Sequence, residues 1–196
     1  MKVYLIRHGQ TVSNADGTIQ AWSDSKLSEK GEGQARELAK VMSGRRFDRI
    51  IASDLYRAKQ TLKIVFGDVN AEFDERLREI DNNCLAGKNK SEILSAFGEE
   101  FTRAWNFYDY GFFGGESVEH FKKRVLDFMR DLEKDEKSES VAIITHSGTI
   151  HAFISNITGI VPNETEPVIS NCSVSVAEYM KNDGWKMLSI NNKTEF

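Results

Sequence analysis

Residues 141–145 read VAIIT, an apolar run that is unbroken up to its closing threonine. A strand with no polar alternation has no face to offer water. It has to be covered on both sides, as happens at the centre of a parallel sheet with helices above and below. The rest of the chain fits that demand, because short apolar runs alternate with amphipathic segments in the manner of βα units.

KVYLI at the N-terminus predicts a first strand and RIIAS at 49–53 a second. Residues 28–43 predict a helix with Ala35, Leu38, Ala39 and Met42 on one face. The segment after RIIAS predicts another, burying Leu55, Ala58, Leu62, Val65 and Phe66. The most regular helix is expected at 117–134, where Val118, Phe121, Val125, Phe128, Met129 and Leu132 recur at steps of three and four. SGTIHAFISNITG follows VAIIT as a helix stopped by Gly159, and SVSVAEYM and WKMLSI form a hairpin around Asn182-Asp183-Gly184. No repeat, linker or low-complexity tract interrupts the series, and Pro162 and Pro167 are the only prolines. Residues 80–115, which end in an aromatic cluster, fit the alternation least and are expected to be an insertion that caps the sheet edge as a lid.

At 196 residues, 40% hydrophobic and 29% charged, the chain suits one globular domain spanning 1–196. The expected class is α/β, three-layered, with a mostly parallel central sheet flanked by helices. A net charge of −4 leaves no basic excess for nucleic acid, so any anion site must be a local concentration of positive charge. No apolar stretch nears the roughly 20 residues that span a bilayer, and the N-terminal apolar run is too short for a signal-peptide core. Cys84 and Cys172 stand far apart, outside any CxxC pattern, and read as free thiols of a reducing compartment. The expected location is cytoplasmic, with no membrane partner.

Four histidines occur, and two of them, His8 and His146, follow directly on predicted strands. In an open α/β sheet, ligands gather outside the carboxyl ends of the strands. Arg7 precedes His8, and the helix N-terminus at Ser147 and Gly148 faces the same space with amides that favour an anion. After the second strand, Ser53 or Asp54 is expected to cap a helix carrying Arg57 one turn in. Glu79 follows a predicted short strand ending near Leu77. Two imidazoles, two guanidinium groups and a carboxylate suit phosphoryl transfer to histidine. A neutral imidazole attacks phosphorus, arginines and a protonated second histidine hold the equatorial oxygens, and a carboxylic acid protonates the leaving alkoxide. A metal on His8, His146 and Glu79 would sit beside two arginines, which is electrostatically poor, so neither metal nor cofactor is expected. No GxxxxGK[ST] occurs. ADGTI at 15–19 matches half of an aspartyl-phosphatase motif by accident, with Asn14 in the nucleophile position. His120 and His151 read as surface or packing residues.

LIRHGQT, SDLYRAKQT, LREI and THSGTI, in that order, resemble the histidine phosphatase superfamily with its phosphoglycerate mutase-like fold. The resemblance extends through NADGTIQAWSDSKLSEKGEGQA and GGES and so covers most of the chain. It implies His8 as nucleophile and Glu79 as proton donor, with Arg7, Arg57 and His146 forming the phosphate pocket and Asn14 and Gln20 contributing to it; Ser147 is expected to join them through its place at the helix N-terminus. It also implies a phosphatase of small phosphorylated metabolites. The alternatives are a phosphoglycerate mutase, typically longer and closed against water, and a non-catalytic phospho-ligand binder. One departure stands out. Where the family reads roughly E-I-x-F-G-x-W-E-G, this chain reads EIDNNCLAG. Asn83 replaces a glycine but tolerates a left-handed backbone, and Leu85 and Ala86 are expected to make the pocket wall unusual. Of the aromatics at 105–113, one or two, Trp105 or Tyr108 foremost, are expected at the substrate mouth, and about half in packing.

Overall fold

In β1 (Lys2–Arg7), Val3 and Leu5 enter one hydrophobic core and Ile6 enters another, because successive side chains of a strand leave on opposite faces. In β4 (Ser140–Thr145), Val141 and Ile143 join the first core, while Ala142 and Ile144 join the second. The unbroken apolar run is the middle of a three-layer structure. The computed structural model describes residues 1–160 and 168–194, and Pro162 and Pro167 lie outside these.

Among the described residues the sheet has six strands, in the order β3-β2-β4-β1-β5-β6, with β2 at Arg49–Ala52, β3 at Glu72–Phe73, β5 at Val174–Met180 and β6 at Gly184–Asn192. The first four run parallel; β5 is antiparallel to β1, and β6 completes the expected hairpin.

The helices are α1 (Val12–Ala15), α2 (Glu29–Met42), α3 (Tyr56–Phe66), α4 (Lys90–Phe107), α5 (Val118–Glu133) and α6 (Ser147–Thr158). Helices α2 and α3 cover one face with Ala35, Leu38, Met42, Ala58, Leu62 and Val65. The other face takes Phe121, Val125, Phe128, Met129 and Leu132 of α5, and Ile150 and Phe153 of α6. Ser28 and Ser117 start α2 and α5, their hydroxyls accepting from the amides of Gly31 and His120. Gly159, at φ 73°, ends α6 as expected. The insertion at 80–115 is α4, broken at Gly98, between two short 3-10 turns; its Ile93, Phe101, Ala104, Tyr110 and Phe113 pack into the α5–α6 core. No described helix is long and apolar enough to cross a membrane.

Two local expectations fail. No strand approaches Leu77: β3 stops at Phe73, and the Asp74 carboxylate accepts from the Arg76 amide, starting a 3-10 turn at Glu75–Leu77. Neither Ser53 nor Asp54 caps α3, whose N-cap is Leu55 without a side-chain bond. Asp54 is taken by Arg78, and Ser53 has a different partner, described below. The loop after β1 is fixed by close approach, since a Cβ on Gly31 would lie 1.9 Å from the Gln10 carbonyl oxygen.

Candidate active site

The register of β1 on β4 pairs Arg7 with Thr145, so His8 and His146 leave the two strands side by side. The His8 amide donates to the Thr145 carbonyl at 2.9 Å. Next to them lies a cavity of about 320 Å³ whose lining includes Arg7, His8, Asn14, Gln20, Arg57, Glu79 and Ser147. His146 is fully buried behind it, its ring 5.1 Å from that of His8.

His8 has a defined tautomer. Its Nδ1 is 2.7 Å from the Gly9 carbonyl oxygen, which can only accept, so Nδ1 carries the proton and Nε2 the lone pair. Burial, then Arg57 and Arg7, push the His8 pKa well below the ordinary histidine range. His146 is neutral too, for burial and the Arg57 charge both depress it. Its Nδ1 accepts from Arg57 Nε at 3.2 Å, so its Nε2–H donates to Ser53 Oγ at 2.8 Å. The expected protonated second histidine is therefore wrong: buried beside a guanidinium, this imidazole is held as an acceptor.

Arg57 is itself buried, and its Nη atoms donate to the carbonyls of Ala21 and Ser23. Burial lowers its pKa to about 10, with Glu79 opposing. Arg7 is lowered for the same leading reason; its Nη1 reaches the Ile169 carbonyl at 2.5 Å, while its buried Nε has no hydrogen-bond partner. Thr11 orients the two amide side chains. Its amide donates to Asn14 Oδ1 and its hydroxyl to Gln20 Oε1, leaving both NH2 groups available as donors.

The Glu79 carboxylate takes the place expected for an external anion at the α6 N-terminus. It accepts from Gly148 N at 3.2 Å and from Ile80 N at 3.0 Å. That approach needs glycine, since a Cβ on Gly148 would lie 2.2 Å from Glu79 Oε1.

Several contributors escaped the sequence reading. Lys90, the first residue of α4, lines the cavity with its Nζ over the Trp105 ring, and burial followed by Arg7 lowers its pKa to about 8. Nothing local marks it among the surface lysines. Ser53 orients His146, and Asn171 donates to the His8 carbonyl at 2.9 Å. Trp105, Tyr108 and Tyr110 line the cavity, whereas Phe107 and Phe112 are exposed and Phe113 is core. His120 is on the surface, paired with Glu116, and His151 is buried against Tyr108. The expected effect of the departure on the pocket wall is not found at the cavity itself: Leu85 is core, and neither Asn83 nor Ala86 lines it. Asn83 does adopt the left-handed backbone, at φ 44°.

The family model of the histidine phosphatase superfamily (branch 1) matches residues 3–193. The chain belongs to the histidine phosphatase superfamily. A superfamily relative from Enterobacter sp. (strain 638), named "Probable phosphoglycerate mutase GpmB", is 32% identical over 94% of this chain and 90% of its own. The solved structure of Bacillus stearothermophilus YhfR superposes with a TM-score of 0.89 at 27% identity, covering 97% of this chain and 96% of that one. A mycobacterial glucosyl-3-phosphoglycerate phosphatase, solved with VO3, gives 0.83 at 25% identity over 97% and 98%. Superfamily membership and these neighbours support an enzyme of phosphatase or mutase type.

Proposed function

We propose that this chain is a metal-independent hydrolase of small phosphomonoesters working through a phosphohistidine on His8. The observation that carries the reading is a neutral imidazole, Nε2 lone pair free, beside the guanidinium groups of buried Arg57 and half-buried Arg7, with the Glu79 carboxylate lining the same cavity. Incompletely compensated buried cations are costly without an anion, and a phosphoryl group supplies one.

His8 Nε2 attacks phosphorus in line while Glu79 passes its proton to the departing alkoxide oxygen, and the alcohol leaves. Arg7 and Arg57 balance the equatorial oxygens with help from the NH2 groups of Asn14 and Gln20, and His146 fixes the Arg57 plane through Nε. The Glu79 carboxylate then takes a proton from water, whose oxygen attacks the phosphorus. The P–N bond breaks, and inorganic phosphate and neutral His8 result. Lys90, on the insertion side of the cavity, offers a place for a second negative group on the substrate. A cytoplasmic setting fits the two free thiols, and neither nucleic acid nor membrane belongs to the reading.

Hydrolysis of p-nitrophenyl phosphate with and without EDTA tests it. Activity should survive chelation, vanish in His8→Ala, and coincide with a base-stable phosphoryl label on the wild type. Loss of activity on chelation would refute it. A second reading, phosphoglycerate mutase, draws support from the name of the Enterobacter relative and from Lys90. Phosphoglycerate isomerised without release of inorganic phosphate would decide for the mutase.

A further inference from the structure

The segment carrying Glu79 has no strand to hold it, yet its backbone is gripped on every side. The hydroxyls of Thr145 and Thr149 donate to the Leu77 and Arg78 carbonyls at 2.7 and 2.9 Å. Arg124 of α5 donates from Nη1 to the Arg76 and Arg78 carbonyls and from Nη2 to the Glu79 carbonyl at 3.0 Å. Trp22 Nε1 donates to that same Glu79 carbonyl at 2.7 Å. Arg124 is in turn locked by the buried Glu116 of GGES, which takes its Nε and Nη2 at 2.7 and 2.8 Å. The Glu116 backbone amide donates to the Asp81 carbonyl, and its carboxylate accepts from the Asp81 amide.

These bonds hold residues 76–81 around the one carboxylate that must meet a leaving oxygen, two of them on Glu79 itself, and they come from three separate parts of the chain. We infer that Trp22 and the Arg124–Glu116 pair are positioning residues for Glu79, holding its backbone so that the carboxylate, set by Gly148 and Ile80, reaches the leaving group. None of the three side chains lines the cavity, so each reaches the reaction only through the segment that carries Glu79. The inference rests on Glu79 as the acid. It goes further by assigning work to a tryptophan, an arginine and a glutamate remote from phosphorus.

Leaving-group dependence separates this role from general support of the fold. An alkyl phosphate needs a proton on its departing oxygen, whereas p-nitrophenolate leaves without one. Trp22→Phe keeps the ring and removes the donor, and Arg124→Lys keeps the charge and removes the fork. Each should lower kcat/KM for an alkyl phosphate by about tenfold or more, as small misplacements of reacting groups do, and leave p-nitrophenyl phosphate within about threefold. Combined with Glu79→Gln, either change should cost nothing more on the alkyl ester, because residues acting through one group are non-additive. Equal loss on both esters, no loss on either, or full additivity with Glu79→Gln overturns the inference. If Arg124→Lys does not fold, Trp22→Phe alone decides, being a change at a partly exposed ring. Glu79→Gln as active as wild type on the alkyl ester would remove the acid itself, a failure visible in that single variant before the positioning residues are considered.

Discussion

His8 and His146 stand one residue beyond the ends of two hydrogen-bonded parallel strands, and the pairing of Arg7 with Thr145 sets their rings 5.1 Å apart. Burial, with Arg57 and Arg7 close, keeps each ring from taking up a second proton. The proximity gives an unprotonated nucleophile backed by a second imidazole that orients an arginine. That second role depends on Ser53, the acceptor for the His146 Nε2 proton. Ser53→Ala should strand a buried N–H and cost about 1–3 kcal/mol of stability, read from chemical denaturation. An unchanged midpoint would mean that another acceptor takes over.

Gly148 should separate activity from stability. A Cβ there would lie 2.2 Å from Glu79 Oε1 and 3.0 Å from the Tyr108 ring, so Gly148→Ala must displace the carboxylate. The backbone at that position suits any residue, and alanine favours a helix over glycine by about 1 kcal/mol. The variant should melt no lower than wild type and yet lose on the order of a hundredfold in turnover of alkyl phosphates. Retained turnover would show that the carboxylate has room to spare.

Much of this site could be read from the chain because strand ends and helix starts are local events. VAIIT, followed by a histidine and a small-residue helix start, places His146, and KVYLI does the same for His8. What could not be read depends on contacts distant in sequence. Lys90 enters the cavity because α4 folds back over it, Asn171 reaches His8 from the lead-in to β5, and Arg124 spans from α5 to the 76–79 segment. The charge state of His146 is not legible in THSGTI, because burial and the neighbouring Arg57 decide it. The missing strand near Leu77 has a nearer cause: Asp74 prefers to start a turn.

Asn83 tests how a family glycine has been replaced. Its backbone is left-handed, and its side chain donates to the Gly114 carbonyl at 2.8 Å. Asn83→Ala should cost about 1 kcal/mol, because alanine keeps the left-handed strain of a Cβ and loses the hydrogen bond that offsets it in asparagine. Asn83→Gly should cost less, despite losing the same hydrogen bond. Equal costs would assign the whole effect to the lost bond.

Acid should destabilise the protein through its buried histidines. His8, His146 and His151 all have folded pKa values below the ordinary histidine value, that of His151 at about 4, with burial the leading cause. The unfolded chain therefore binds more protons than the folded one once the pH drops below about 6.5. Stability is fully present above that value and falls as pH decreases through the window from about 6.5 to 4, by about 1.4 kcal/mol per pH unit for each histidine still neutral. His151→Gln should flatten the slope by one proton without touching the phosphate pocket. A slope unchanged by that substitution would mean that His151 takes up its proton in the folded protein as readily as in the unfolded chain.

Lys90 should decide between substrates with one negative group and those with two. Its ammonium sits over Trp105, at the start of the insertion, where a group distal to the phosphate would reach it. Lys90→Met should lower kcat/KM for a substrate carrying a carboxylate or second phosphate by about ten- to a hundredfold, the worth of a charge-assisted contact. It should change simple alkyl phosphates little. With the Lys90 pKa lowered to about 8, the free enzyme keeps this charge at neutral pH and loses it as pH rises past that value. A bound anion raises the pKa again, so the pH effect belongs to kcat/KM, which reports the free enzyme, and not to kcat. Selectivity for the doubly charged substrate should therefore fade above pH 8 in wild type and be flat in Lys90→Met. Equal pH profiles in the two proteins would remove Lys90 from substrate recognition.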